Sequence, residues 1–283
     1  MMIDFSSRPP LPEFYKTAAY LGNYRRVYQA SEAETSKEVG EEAFAAYLAA
    51  YDAVGAKHIV VKARDLESTF GFKIANEDVA RLCAAHGGRF IGFAGVDPHK
   101  GPAAVEELRH AVTELGLRGL NLQCFEHRLR PNDPLLLPLY AECVKLDIPV
   151  NIHCGINFST ASLMEYGRPI HLDEVAIAFP ELRICASPPG WPWVQELIGV
   201  AWRHRNLRIG VVSIRPSLLE KENAGYESLL LYGGKLLQDQ FLFGTGFPML
   251  PVERTVGEID ALPLSEAVRH KWKYQNAAEF LRV

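Results

Sequence analysis

The apolar residues of the chain gather into eight short runs: Met2 to Phe5, His58 to Val61, Phe90 to Val96, Leu117 to Cys124, Val150 to His153, Leu182 to Ser187, Leu207 to Ser213 and Phe241 to Phe243. Several are apolar at successive positions, as in "HIVV" and "RIGVV", the pattern of parallel strands buried on both faces. Between the runs the apolar positions take helical spacing. "EEAFAAYLAAYDAVG" stops at Gly55, and "NEDVARLCAAHGG" opens on Asn76 as a cap and stops at Gly87. "PAAVEELRHAVTELG" carries Pro102 at its start and Gly116 at its end, the usual asymmetry of helix termini. "DPLLLPLYAECVKLD", "LDEVAIAFP", "PWVQELIGVAWRHR" and "YESLLLYGGKLLQ" supply four more helices, and "LSEAVRHKWKYQNAAEFLRV" closes the chain as another. Eight strands separated by helices predict an α/β fold, a (β/α)8 TIM barrel formed by residues 1–283 as a single domain. A doubly wound open sheet is the structural alternative. The long stretch 12–56 between the first two runs predicts a helical insertion after strand 1, lying over the barrel mouth.

In such a barrel the chemistry sits at the C-terminal ends of the strands. That rule selects Asp4, Ser6 and Arg8; Lys62, Arg64 and Asp65; Asp97 and His99; Asn121, Gln123 and His127; His153 and Cys154; Ser187; Ser213 and Arg215; and Thr245. Composition narrows the partners. A formal net charge of -4 on 283 residues offers no basic footprint for nucleic acid or an anionic membrane. No apolar stretch approaches the roughly 20 residues of a membrane span, and the N-terminal "MMIDFSSRPPLPEF" lacks a basic-then-apolar leader pattern. The expectation is a cytoplasmic protein with a small-molecule substrate. Five scattered cysteines, Cys83, Cys124, Cys143, Cys154 and Cys185, with no CxxC pair, read as reduced thiols rather than a disulfide framework or a zinc knuckle.

Five motifs carry a family resemblance. They are "GVDPH", "GLRGLNLQCF" continuing through "LRPNDPLLLPLYAECVKLDIPVNIHCG", "FPELRICASPPGWPW", "FGTGFP" and the closing "LSEAVRHKWKYQNAAEFL". In order and spacing they resemble the amidohydrolase-related group of the amidohydrolase superfamily, which contains aromatic-acid decarboxylases and lactone or amide hydrolases. The resemblance implies a TIM barrel, a homodimer or larger homo-oligomer, and a metal site made of a D-x-H-x-H motif, a histidine after strand six and an aspartate after strand eight. Here the first motif reads "IDFSSRP", with Ser6 and Arg8 at the histidine positions, Pro188 beside Ser187 stands at the strand-six position, and Gly246 of "GTGFP" stands for the aspartate. Of the family's set, His153 in "NIHCG" remains. One imidazole does not hold zinc, which takes three or four protein donors, and Cys154 next to it belongs to the opposite face of the strand. The expectation is a site with no metal and no cofactor.

The resemblance then implies a metal-independent enzyme that acts on a small aromatic or cyclic carboxylate or carbonyl compound by hydrolysis or decarboxylation-type cleavage. His153 is the acid/base candidate, since imidazole titrates near neutrality. Arg8 is the candidate anion anchor, because a guanidinium binds a carboxylate through two hydrogen bonds. Ser6, Asn121, Gln123, Ser187, Trp191, Arg215 and Thr245 complete the expected substrate contacts. Two other readings stand beside this one: a catalytically degenerate homologue serving as a ligand-binding or partner subunit, and a metal-free lyase or cyclase of a biosynthetic pathway.

Overall fold

A computed structural model describes residues 1–15, 23 and 38–283. Its strands are β1 (Met2–Asp4), β2 (Ala56–Lys62), β3 (Arg64–Leu66), β4 (Phe72–Ile74), β5 (Phe90–Phe93), β6 (Leu120–Leu122), β7 (Val150–His153), β8 (Ile184–Ser187), β9 (Leu207–Val212) and β10 (Phe241–Gly244). β1, β2 and β5 pair in that order, and β6 to β10 pair consecutively, all in parallel. Parallel bridges at Ala94–Leu120 and Ser7–Phe247 join the two sets. The result is the expected ring of eight strands, a closed sheet with no edge left to protect.

The helices that cover the ring are α1 (Glu41–Ala53), α2 (Asn76–Ala85), α3 (Pro102–Thr113), α4 (Leu137–Lys145), α5 (His171–Ala178), α6 (Val194–Arg203), α7 (Glu227–Gly233) and α8 (Val252–Ala261). Strand alternation sorts the apolar residues into two cores. Ile59, Val61, Val150, Ile152, Ile209, Val211, Phe241 and Phe243 face the helices, whereas Ile3, Phe5, Val60, Ile91, Phe93, Cys185 and Leu242 fill the lumen. The C-terminal helical segment closes the floor. Arg118, just before β6, donates to the Leu281 and Arg282 carbonyls at 3.1 and 3.0 Å, and Arg183, just before β8, donates to the Phe280 carbonyl. Phe280 then meets the Phe5 ring edge-on at 5.6 Å. The open mouth is therefore at the other end, where the strands finish.

Three details differ from expectation. β3 and β4 form an antiparallel hairpin between Arg64 and Ile74, whose three-residue strands are too short to show a periodic signal. Asn76 is not a cap: its amide bonds the backbone of Gly95 in both directions, at 2.9 and 3.1 Å, and is buried. The runs at 90–96 and 117–124 contain strands of four and three residues only. Of the expected insertion, the 3-10 turn Pro12–Phe14 and helix α1 are seen; residues 16–22 and 24–37 lie outside the described residues.

Candidate active site

The lumen wall under the mouth is polar and internally bonded. On β8, Ser187 donates through Oγ to Asn151 Oδ1 on β7 at 2.7 Å. Asn151 Nδ2 donates to Asn121 Oδ1 on β6 at 3.0 Å, an oxygen that also accepts from Gln123 Nε2 at 3.0 Å. Asn121 Nδ2 then reaches the Ala63 carbonyl at 3.1 Å. The expected substrate contacts Asn121, Gln123 and Ser187 are thus brought together, but as one chain across three strands. Asn121 and Ser187 are buried, and Gln123 is the half-exposed member at the upper end. Such a chain holds the wall in one arrangement, because breaking any link strands a buried polar atom.

Above it stands His153, the last residue of β7. Its ring meets Phe125 edge-on at 4.4 Å, and its Nδ1 is buried with no hydrogen-bond partner among the described residues. Burial lowers its pKa to about 3, with the Arg64 guanidinium adding to the effect. His153 is therefore a neutral imidazole at physiological pH, with Nδ1 enclosed and unsatisfied among the described residues. Arg64, just beyond β2, is held by Glu126 at 3.1 Å across the mouth. Next to Glu126, buried His127 is also neutral: burial lowers it to about 4 against the pull of Asp97.

This arrangement predicts an acid-sensitive fold. In the unfolded chain both histidines take up a proton below about pH 6.5; in the fold they do not until pH 4 or lower. The contribution of their neutral forms is complete above pH 6.5 and is lost as the pH falls, at a cost of roughly 2.5 kcal/mol for each by pH 4.5. Urea unfolding at pH 7 and 4.5 measures the loss, and His153→Asn should remove roughly 2.5 kcal/mol of it. An unchanged pH slope in that variant would contradict the neutral imidazole.

The side of the barrel where β1 meets β10 is built differently. Asp4 faces away from the lumen and is fully buried. Its carboxylate accepts from Thr245 Oγ1 at 2.6 Å, from Tyr51 Oη at 2.5 Å, and from the Thr245 and Ser6 amides at 2.9 and 3.0 Å. Tyr51 and Tyr47, one turn apart on α1, both bond Ser7 Oγ. Burial raises the Asp4 pKa while these donors oppose the rise. Thr245, expected to contact substrate, is completely buried and committed to this seam. Ser6 is half-buried; its carbonyl accepts from the Gly246 amide at 2.8 Å. The Arg8 amide donates to the Phe247 carbonyl at 2.9 Å, and its guanidinium lies near Tyr15, whose buried hydroxyl it influences.

Arg215 is engaged within the protein. It forks onto Glu258 of α8 at 3.0 and 2.7 Å; burial would raise Glu258, but Arg215, Ser217 and Arg254 bring it down to about 2. Trp191 is 38% exposed, with its carbonyl accepting from the Ile156 amide at 2.7 Å. Sequence reading passed over Phe125, Glu126 and the pairing of Arg64. The available signal was weak: "CFEH" follows β6 directly, and Arg64 lies two residues past Lys62.

The metal that the fold group implies does not suit these residues. Among the described residues no three His, Cys, Asp or Glu side chains come together. The Arg64 cation acts on His153, and a positive charge there opposes a divalent ion. At Gly246, φ is +70° and a Cβ would lie 2.1 Å from Ser213 Oγ, so this backbone leaves no room for a carboxylate there.

Comparison with known proteins agrees with the architecture. The amidohydrolase family profile matches residues 30–283. A gamma-resorcylate decarboxylase of Rhizobium sp. (strain MTP-10005) is 33% identical, with 74% of this chain and 75% of that one covered. The Rhodococcus jostii (strain RHA1) gamma-resorcylate decarboxylase is 27% identical over the same shares. Among solved structures, an uncharacterized TIM-barrel protein from Bordetella bronchiseptica superposes with a TM-score of 0.82 at 28% identity, covering 99% of this chain and 98% of that one. A 2,6-dihydroxybenzoate decarboxylase from Rhizobium superposes with a TM-score of 0.68 at 19% identity, over 99% and 98%, a likeness of fold. Among the described residues no helix is long and apolar enough to cross a membrane.

Proposed function

The chain belongs to the amidohydrolase family, and on that premise we propose that it removes the carboxyl group of a small aromatic or cyclic acid without a metal ion. The observation that carries this reading is the neutral, unpartnered His153 imidazole beside the Arg64 guanidinium at the barrel mouth. The similarity to gamma-resorcylate decarboxylases supports the reaction class.

The residues divide the work as follows. Arg64, its fork oriented by Glu126, takes the substrate carboxylate, with Arg8 as a second anchor from the strand-1 side. Phe125 offers an aromatic face beside His153. An anion arriving next to His153 favours its imidazolium, which raises the imidazole from about 3 toward a useful acid. The proton passes to the ring carbon that bears the carboxylate, the C–C bond breaks, and carbon dioxide leaves. The Asn121–Asn151–Ser187 chain keeps the wall below rigid.

The test is carbon dioxide release from 2,6-dihydroxybenzoate and related acids by chelator-treated protein. Turnover should survive chelation. Arg64→Ala should lower kcat/KM by roughly 100-fold, mainly by loss of a charge-assisted carboxylate contact. His153→Asn should lower kcat with little change in KM. Activity that returns in proportion to added zinc or manganese would overturn the metal-free reading. Binding of an aromatic acid without turnover would favour a ligand-binding homologue.

A further inference from the structure

Aromatic-acid decarboxylation leaves Lys62 without work. It ends β2 on the same face as Val60, whose side chain belongs to the lumen core. Its Nζ stands 5.0 Å from the centre of the Phe5 ring. The carboxylates of this region are engaged elsewhere: Asp4 with Thr245 and Tyr51, Asp65 with Lys73 and Lys100, and Glu126 with Arg64. Among the described residues Lys62 forms no hydrogen bond or ion pair, and its one polar-group contact is the Phe5 face.

Lys62 is half-buried in the barrel wall and has no carboxylate partner among the described residues to hold its charge. Its surroundings ease the loss of its proton instead. Burial lowers Lys62 to about 8, against the opposing pull of Cys185 and Asp4 and with a further push from Arg64. Desolvation and a neighbouring cation are the two means by which a lysine becomes a nucleophile. The amide row of the opposite wall begins at the Ala63 carbonyl, one residue beyond Lys62, and Arg64 offers a carboxylate anchor two residues along.

We infer that Lys62 is a nucleophilic amine that forms an imine with small β-oxo carboxylic acids and releases carbon dioxide from them. The Nζ lone pair attacks the ketone carbon while the oxygen gains a proton, which gives a carbinolamine. Loss of water leaves a protonated imine. The bond to the carboxylate then breaks, its electron pair moves into the imine, and carbon dioxide departs from an enamine. Protonation at carbon and return of water release the ketone and restore the amine. No oxidant or reductant is required. This activity goes beyond aromatic-acid decarboxylation, because it needs a ketone and does not need His153.

The experiment treats the full chain with acetoacetate and sodium cyanoborohydride, followed by peptide mapping. At neutral pH the deprotonated form of an amine near pKa 8 is roughly 300-fold more populated than that of an ordinary lysine. Even with its lower basicity, alkylation at Lys62 should outpace every other lysine by roughly tenfold and rise through a midpoint near pH 8. Lys62→Arg keeps the charge and should abolish both the adduct and acetoacetate decarboxylation. Labelling spread evenly over the lysines, or a midpoint near 10.5, overturns the inference; so does undiminished acetoacetate turnover in Lys62→Arg. Should that variant not fold, site-resolved labelling of the wild-type chain decides alone. Carbon dioxide from 2,6-dihydroxybenzoate is scored separately: its release without Lys62 labelling overturns the imine and keeps the aromatic-acid reading, and labelling without its release does the reverse.

Discussion

Gly246→Asp is expected to lower the stability of the fold by roughly 2–4 kcal/mol and to leave the protein without tight metal binding. Gly246 follows β10 with φ at +70°, a region that costs an L-residue roughly 1–2 kcal/mol. A Cβ there would lie 2.1 Å from Ser213 Oγ and 2.9 Å from Ser213 Cα and Cβ. Ser213 cannot yield easily, because its own φ is +59°. Urea denaturation measures the first effect, and titration with zinc or manganese the second. Gly246→Ala should carry most of the same penalty, since the overlap begins at Cβ. Pairing Gly246→Asp with Ser213→Gly should recover part of it, a coupling expected of side chains in contact. Tight metal binding by the single variant would show that a donor set does converge at this turn.

Asp4→Ala should be at least as damaging, at roughly 3–5 kcal/mol. The carboxylate is the shared acceptor for two hydroxyls and two amides in a completely buried seam. Its removal leaves the Ser6 and Thr245 amides without their acceptor and takes one partner from each hydroxyl, whereas Tyr51→Phe removes one donor and should cost about 1 kcal/mol. The seam joins α1, the end of β1 and the end of β10, so its loss loosens the closure of the ring as well as a local contact. Unfolding midpoints of the two variants in urea provide the check; a penalty for Asp4→Ala below that of Tyr51→Phe would mean that water replaces the carboxylate. The aspartate that opens "IDFSSRP" is thereby accounted for by packing alone, whatever becomes of the positions after it.

The fold was legible because its signal is local. Parallel strands buried on both faces repeat apolar residues without interruption, and the helices between them announce themselves by spacing and by terminal Pro or Gly. The same pattern located the mouth, and with it His153, whose place at the end of β7 follows from strand alternation. The hairpin Arg64–Ile74 escaped because two three-residue strands carry no period.

The assignment of individual side chains to the site required contacts between residues far apart in the chain. Arg64 and Glu126 are separated by 62 positions, and Thr245 and Asp4 by 241. Nothing near Thr245 tells that its hydroxyl turns outward to Asp4, and nothing near Arg215 tells that Glu258 of α8 will claim it. A strand end is where alternation gives way to a turn, so the facing of the last residues depends on what packs around them. The same holds for protonation. Residue type makes His153 a group that titrates near neutrality and Lys62 a surface-like cation; enclosure beside Phe125 and Arg64 makes His153 neutral, and enclosure beside Phe5 and Arg64 brings Lys62 down to about 8. Alternation within the chain thus set the barrel and the end of it that works, while desolvation and pairing, which exist only once distant strands close into a ring, set which side chains at that end can react.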